Sequence, residues 1–318
     1  MKAAWDWHMP RKTEEDERAV VAFAHACGFD TLILSNPTEG LVKGGRDLGV
    51  RVVAVVSPNA TGPFSEQHPE CLQVVLPVEE AIAAGVSDCA PPGYQQTSYR
   101  WFSIVQPNRL LCYEHPASRE ALKARVRAAL AVADGVAFDG FGFQNHYACF
   151  CDLCRGIRER MMVETGEMEE GEAIRRMSEE SLVDVSHFLY LCAKDAKPDA
   201  LVTNHIWPPF NPNPYYGNRL RLDYGTQTIS WFYRPAWSIE RVAFEAAEMK
   251  RLEDPSANTF VPFIGAYGDP YQVRSADRLA QELEVAGRYG HVVLCTLEAP
   301  RKYPEIFDVV KAALAKIA

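Results

Sequence analysis

The amino-acid sequence predicts a (β/α)8 barrel, and three observations support this. Eight short apolar segments alternate with helical sequence, as in a chain that builds a parallel sheet. The 318 residues suffice for one large barrel with insertions. No predicted strand runs into the Gly-x-Gly-x-x-Gly turn of a dinucleotide-binding doubly wound sheet. We therefore expect one barrel domain over residues 1–318, with a long insertion at about 58–116, after the third strand.

The strands are predicted from short apolar runs rich in β-branched residues and bounded by turn residues. In chain order they lie at 2–8, 31–35, 51–57, 135–138, 200–206, 226–232, 259–264 and 291–296. The third run, Arg-Val-Val-Ala-Val-Val-Ser, is typical of a strand buried on both faces. The insertion is too long for a plain connection, so we expect it to contain strands of its own, such as 101–105.

The helices are predicted from amphipathic periodicity together with start and stop signals. They lie at 13–28, 39–48, 118–134, 153–194, 238–252, 275–289 and 304–317. Thr13, followed by acidic residues, is a helix start, and Gly28 is a helix stop. The segment 153–194 is interrupted near 166–171. Gly44 and Gly45 fall inside a helical pattern, which favours a structural role over a phosphate-binding one.

Composition and charge limit the possible partners and the compartment. The chain carries 33 basic and 42 acidic residues, a net charge of −9, which disfavours a nucleic-acid-binding surface. No apolar run approaches the roughly 20 residues of a membrane helix. Six of the nine cysteines are scattered singly, as in a reducing compartment, and the N-terminus lacks a secretory pattern. We expect a cytoplasmic protein with no nucleic-acid or membrane partner, and a homo-oligomer is possible.

The candidate substrate-binding residues follow the predicted strands, because chemistry in such barrels lies at the carboxyl ends of the strands. They are Asp6, His8, Glu114, His115, Asn145, Asn204, His205, Trp207, Trp231, Tyr233 and Tyr267. Aromatic faces pack on the C–H surface of sugar rings, and carboxylates and amides pair with hydroxyl groups. This rim therefore predicts a neutral, polyhydroxylated substrate. Asp6 with His8 can also be a satisfied internal pair, and Trp5 and Trp7 can be barrel core.

Two carboxyl groups are the candidate catalytic residues. Asp139 and Glu298 each end a buried strand, and glycoside hydrolysis needs one carboxyl group as acid and another as nucleophile or base. Each has a simpler interpretation: an Asp before a glycine is often a turn former, and Glu298 can pair with Arg301 or Lys302. Asp223 precedes strand six, at the wrong end of the barrel.

A cluster of thiols follows the fourth strand and predicts a structural Zn²⁺ site. Its members are Cys149, Cys151 and Cys154. Zn²⁺ takes four ligands in a tetrahedron, and we expect Cys112 to be the fourth, because the helix at 118–134 returns the chain to this place. The alternatives for the fourth ligand are Cys89 and His115. Coordination by thiolates alone leaves no position for water, so the site is structural and clamps the loop after strand four.

The segment at about 110–160 carries a family resemblance. It contains Cys112-Tyr-Glu-His-Pro, then Asp134-Gly-Val-Ala-Phe-Asp-Gly, then Cys149-Phe-Cys-Asp-Leu-Cys. It resembles the barrel core of family 42 β-galactosidases, whose Cys-x-Cys-x-x-Cys motif joins an earlier cysteine to bind structural zinc. It is also similar to uncharacterised α-L-fucosidase-like glycosidases, in which an Asp ending strand four is the nucleophile. The resemblance implies a glycoside hydrolase, and its fucosidase-like form fits Asp139 as nucleophile or base but does not identify the acid. Glu298 is the proposed acid/base because of its place after a buried strand.

The chain departs from the family 42 pattern in its carboxylates. Those enzymes carry one catalytic Glu after strand four and another on strand seven. This chain has Asp139 after strand four, and Ile-Gly-Ala-Tyr267 after strand seven. The family 42 mechanism therefore does not carry over.

Two other functions are compatible with the sequence. In the first, a metal-dependent hydrolase or isomerase, Asp6, His8 and His205 converge with Asp139 and Glu298 on a catalytic ion. In the second, the barrel binds carbohydrate without catalysis, since a fold persists when its chemistry is lost.

Overall fold

The eight predicted strands form a closed parallel barrel. The structure is a computed structural model that describes residues 1–7, 9, 11–57, 63–74, 111–139, 149–206, 216–230, 237–266 and 274–317. Each strand pairs in parallel with the next along the chain, and the first pairs with the last. The strands are β1 (Lys2–Asp6), β2 (Thr31–Leu34), β3 (Arg51–Val56), β4 (Gly135–Phe138), β5 (Leu201–Asn204), β6 (Tyr224–Ser230), β7 (Thr259–Gly265) and β8 (Val292–Cys295). The predicted fold class is confirmed.

The helices surround this barrel in the predicted order. They are α1 (Glu14–Cys27), α2 (Glu39–Asp47), α3 (Pro63–Gln67), α4 (Pro116–Leu130), α5 (Asp152–Thr165), α6 (Glu170–Ala196), α7 (Ile239–Arg251), α8 (Ala276–Gly287), α9 (Glu298–Lys302) and α10 (Pro304–Leu314). Thr13 caps α1 with a capping box, and Gly28 ends it with a φ of 96°. Among the described residues, no helix has the length and apolarity to cross a bilayer.

The predicted long helix after the thiol cluster is divided into α5 and α6. Gly166 ends α5 in the left-handed region with a φ of 72°, which a glycine adopts without a steric penalty. Part of the predicted insertion is described: it contains α3, a 3-10 turn at Pro69–Cys71 and a bridge between Leu72 and Leu111. The predicted strand at 101–105 and Cys89 lie outside the described residues.

Alternation along the strands separates the barrel interior from the layer beneath the helices. One buried cluster fills the interior: Ala3, Trp5, Ile33, Val53, Ala137, Leu201, Val261, Phe263, Val293 and Cys295. Two larger clusters lie between the sheet and the helices. Asp139 is two residues after Ala137, and His205 is four residues after Leu201. Both therefore continue the inward-facing series at the carboxyl end of the barrel.

Gly44 and Gly45, adjacent in α2, differ in their surroundings and provide a matched pair of variants. A Cβ atom on Gly45 would lie 2.6 Å from the backbone oxygen of Val50, whereas nothing lies within 4 Å of one on Gly44. We expect Gly45→Ala to destabilise the protein by roughly 1–3 kcal/mol, because backbone must move. We expect Gly44→Ala to stabilise it by up to about 1 kcal/mol, the helix preference of Ala over Gly. Chemical denaturation measures both, and equal effects would contradict the packing role of Gly45.

Candidate active site and thiol cluster

Asp139 lies at the end of β4 with its carboxylate within reach of solvent. Its side chain is 33% exposed, and its backbone N–H donates to the Val56 oxygen at 3.3 Å, which holds it beside β3. Oδ1 lies 3.6 Å from Nδ1 of His205. A carboxylate in this position is both accessible to a ligand and adjacent to the imidazole of His205.

His205 is buried beside Asp139 and is held in place on several sides. Its Nε2 is 3.0 Å from the Thr228 hydroxyl oxygen. Its ring stacks on Phe263 with centroids 3.9 Å apart, and the Trp5 ring lies 5.6 Å away. With 1% exposure, His205 is placed to orient Asp139 more than to contact a substrate. Thr228 and Phe263 are absent from the predicted site. Which face of their strands points into the barrel can be assigned only when the pairing register of the strands is known.

Trp7 presents an exposed aromatic face next to the buried Trp5. The two indole rings have centroids 6.2 Å apart, and Trp7 is 42% exposed whereas Trp5 is 2% exposed. Trp5 is thus barrel core, as one interpretation of the sequence had it. Trp7 follows the carboxyl end of β1, on the side of the barrel where Asp139 lies, and is a site candidate that the predicted set lacks.

Asp6 is a buried group whose described partners are backbone N–H groups. The internal pair with His8 that the sequence left open is not tested, because His8 lies outside the described residues. Asp6 is 3% exposed. Its Oδ2 accepts a hydrogen bond from the Met9 N–H at 2.9 Å, and its Oδ1 accepts one from the Leu297 N–H at 3.2 Å. Asp6 therefore ties the end of β1 to the segment that follows β8.

Glu298 is the first residue of α9 and forms the ion pair that the sequence offered as an alternative to catalysis. Nζ of Lys302 donates to its Oε1 at 2.6 Å, and its backbone N–H donates to the Thr296 hydroxyl oxygen at 3.0 Å. The strand that precedes Glu298, β8, lies across the barrel from β4.

Asn204 and Asp223 connect neighbouring strands. The Asn204 side chain is fully buried, and its Oδ1 accepts from the Thr226 N–H at 3.0 Å. Its Nδ2 has no hydrogen-bond partner within the described part of the chain. Asp223 directly precedes β6, at the opposite end of the barrel from Asp139, and accepts from Lys194 Nζ and the Val202 N–H, each at 2.8 Å.

Six predicted substrate-binding residues lie outside the described residues. They are His8, Asn145, Trp207, Trp231, Tyr233 and Tyr267.

Glu114 and His115 lie in the turn before α4, beside the thiol cluster. Glu114 accepts a hydrogen bond from the Ser181 hydroxyl of α6. It also lies 4.0 Å from Arg119, which pairs with Asp184 of α6 at 2.6 Å. Nε2 of His115 is 3.9 Å from the Cys151 sulfur. Their described contacts are thus with α6 and with the cluster, and these contacts indicate a structural role for Glu114.

Four cysteine sulfurs converge in a group that fits a metal ion. The group consists of Cys112, Cys149, Cys151 and Cys154, whose sulfur atoms all lie within 4.8 Å of one another. The Cys112 sulfur is 3.4 Å from that of Cys154 and 3.9 Å from that of Cys151. A tetrahedron with Zn–S bonds of about 2.3 Å has edges of about 3.8 Å, so this spacing matches. The structure brings Cys112 to the other three, where the sequence placed the fourth ligand.

The acidity of these thiols depends on their mutual contacts. The pKa of the Cys151 thiol is lowered, because the Cys112 sulfur and then those of Cys149 and Cys154 hydrogen-bond to it. The pKa values of Cys112 and Cys154 are raised by the same mutual hydrogen bonds and by burial. Four thiols this close do not all ionise without a cation among them.

Backbone contacts place the thiol cluster at a junction of several segments. The Cys112 N–H donates to the Cys71 oxygen at 2.8 Å, and the Phe150 N–H donates to the Val74 oxygen at 2.7 Å. Cys151 is the N-cap of α5, and Cys154 lies in its first turn. The cluster thus lies where several described segments meet, with Cys149 as its first residue after Asp139 in the chain.

Solved structures that share the fold of this chain include glycosidases. The chain is similar to an α-L-fucosidase isoenzyme from Paenibacillus thiaminolyticus, with 11% identity, a TM-score of 0.59, and coverage of 99% of this chain and 49% of that one. It is similar to a β-galactosidase from the haloarchaeon Halorubrum lacusprofundi, with 13% identity, a TM-score of 0.64, and coverage of 99% and 58%. The glycoside hydrolase domain of PelA from Pseudomonas aeruginosa gives 10% identity, a TM-score of 0.54, and coverage of 94% and 95%.

These likenesses concern the fold. The chain spans about half to three fifths of the length of the fucosidase and of the β-galactosidase. No protein-family model matches the sequence, and a search of curated proteins finds no match.

Proposed function

We propose that this protein is a glycoside hydrolase that cleaves a neutral glycosidic bond in a small-molecule or oligosaccharide substrate. The observation that carries the proposal is the Asp139 carboxylate, one third exposed at the end of β4 and 3.6 Å from the buried imidazole of His205. The carboxyl end of the strands is where barrels of this type carry their chemistry. The fold shared with glycosidases supports the same reaction class.

Asp139 is the proposed nucleophile or general base. Either role needs a carboxylate within reach of the substrate or of an attacking water, and the part-exposed side chain of Asp139 meets that condition. A nucleophile attacks the anomeric carbon as the bond to the leaving oxygen breaks, whereas a base removes a proton from attacking water.

Glu298 is the proposed acid/base. An acid role requires its carboxylate to leave Lys302 and take up a proton, which it then gives to the leaving oxygen. A carboxyl separation of about 5–5.5 Å in the substrate complex predicts retention of configuration, and about 6.5–9.5 Å predicts inversion.

Trp7 is the proposed stacking surface for a sugar ring. Its exposed indole offers the flat apolar face on which the C–H groups of a sugar pack. The residues predicted to complete the rim stay proposals: His8, Asn145, Asn204, Trp207, Trp231, Tyr233 and Tyr267.

A structural Zn²⁺ held by the four-cysteine group is part of the proposal. When bound, the ion would cross-link the start of α4 to the start of α5, and four thiolates leave no position for a reacting water. Reduced thiols persist in the cytoplasm, which is the proposed location.

The described contacts disfavour the rival with a catalytic ion held by Asp6, His8 and His205. Both Asp6 oxygens accept backbone N–H groups, and Nε2 of His205 engages Thr228. His8 lies outside the described residues.

A screen of chromogenic glycosides, including α-L-fucosides and β-D-galactosides, tests the proposal. We expect release of the chromophore from at least one of them, and NMR of the first-formed anomer then shows retention or inversion. Sugar binding without turnover of any glycoside would instead support the non-catalytic carbohydrate-binding barrel.

His205→Gln should lower kcat/KM by roughly tenfold to 100-fold, mainly through kcat, because it removes the ring that positions Asp139. His187→Gln, an exposed histidine of α6, is the matched control and should leave the kinetics unchanged. A rise in KM with kcat unchanged would show instead that His205 contributes only to substrate binding.

A further inference from the structure

Arg158 of α5 is buried against the cysteine group. Its residue exposure is 3%. One guanidinium nitrogen, Nη1, donates to the backbone oxygen of Cys149 at 2.7 Å and lies 3.9 Å from the Met177 sulfur. The guanidinium carbon lies 4.8 Å from the centre of the Phe150 ring. Met177 packs in the same buried cluster as Cys112, Cys149 and Cys154, so the cation sits in the wall of the thiol site.

No carboxylate of the described residues lies within 4.0 Å of this guanidinium. Arginine stays protonated in proteins, so Arg158 brings a full positive charge into the interior. A buried charge is costly unless an opposite charge or several hydrogen bonds compensate it. The neutral contacts to a carbonyl oxygen, a thioether and an aromatic ring supply part of that compensation, and an anion nearby would supply the rest.

The cysteine group can supply that anion. Cys154 and Arg158 are four residues apart on α5, which places them along one face of the helix, and Cys151 is the N-cap of the same helix. Cys149 is joined to the guanidinium through its own carbonyl oxygen. A divalent ion bound by four thiolates keeps two negative charges in excess, in a nearly dry surrounding where charges interact strongly.

We propose that Arg158 is the charge-compensating residue of the thiolate metal centre. Its guanidinium offsets part of the excess negative charge of the metal-loaded site and thereby raises the affinity of the four cysteines for a divalent ion. Its role is to position and stabilise the ligand set, with no contact to the ion itself. This inference rests on the proposed metal site.

The test measures the Zn²⁺ affinity of the full chain by competition with a chromophoric chelator at fixed pH. We expect Arg158→Gln to weaken binding about tenfold or more, as is typical when an outer partner of a metal site is lost. Arg158→Lys, which keeps the charge, should recover part of the loss. Arg160→Gln, an exposed arginine of the same helix, is the matched control and should bind like the wild type.

A second readout separates charge compensation from packing. In the metal-loaded protein, Arg158→Met should lower the unfolding temperature, whereas in the metal-free protein the same change should be neutral or stabilising, because the buried charge then lacks the excess negative charge of the loaded site. Equal destabilisation of both forms would overturn the proposal and assign Arg158 to packing. Unchanged Zn²⁺ affinity in Arg158→Gln would also overturn it. Failure of the wild type to bind Zn²⁺ through these cysteines would overturn the metal site itself, and the proposal for Arg158 with it.

Discussion

Replacement of Asp139 by Asn should reduce glycoside turnover by roughly 10³-fold or more. The amide keeps the shape of the carboxylate but neither attacks an anomeric carbon nor accepts a proton from water. The loss should appear in kcat, measured on the best substrate of the glycoside screen. The change is isosteric at a residue whose side chain is one third exposed, so the unfolding temperature should change little.

Two further variants sharpen this prediction. Asp308→Asn, an exposed carboxylate of α10, is the matched control and should retain full activity. If Asp139 is the nucleophile, Asp139→Ala should regain turnover when azide is added, because a small anion can attack in place of the missing carboxylate. Full activity of Asp139→Asn would contradict the proposed mechanism. If the wild type turns over no glycoside and Asp139→Asn binds sugar as the wild type does, the result would favour the carbohydrate-binding barrel.

Loss of the metal should destabilise the fold more than any single surface substitution. We expect Cys154→Ser to abolish binding of one zinc per chain and to lower the free energy of unfolding by about 5 kcal/mol, since structural zinc sites contribute on the order of 10 kcal/mol of binding free energy. Elemental analysis and thermal unfolding measure the two effects. Cys112→Ser should also lose the zinc and have a lower free energy of unfolding if Cys112 is the fourth ligand.

The control variant for the loss of zinc replaces a cysteine outside the thiol cluster. Cys192 of α6 is buried to a similar degree as Cys149, and Cys192→Ser should retain the zinc. Chelation of the wild type should also reduce its activity, because the loop from Asp139 ends at Cys149. A wild-type protein without metal, and with no stability change on chelation, would contradict the structural zinc.

Local features of the sequence are sufficient to predict the barrel and part of its site. Apolar runs of β-branched residues mark the strands, and residues such as Thr13 and Gly28 mark helix ends, because propensity and capping depend on near neighbours. The place of Asp139 after a buried strand, and the short spacing of Cys149, Cys151 and Cys154, are local in the same sense. The corresponding structural elements are therefore found where the sequence places them.

The choice of partner for each side chain depends on closure of the barrel and on the path of its loops. Asp6 meets the Leu297 N–H, 291 residues away, and His205 meets Asp139, through contacts that no local pattern encodes. Packing of distant segments also brings Glu114 to α6 and Arg158 to the thiol cluster. Residue type and spacing limit what a group can do. Its actual hydrogen bonds, burial and neighbouring charges are set when distant segments come together, because these are properties of the packed chain.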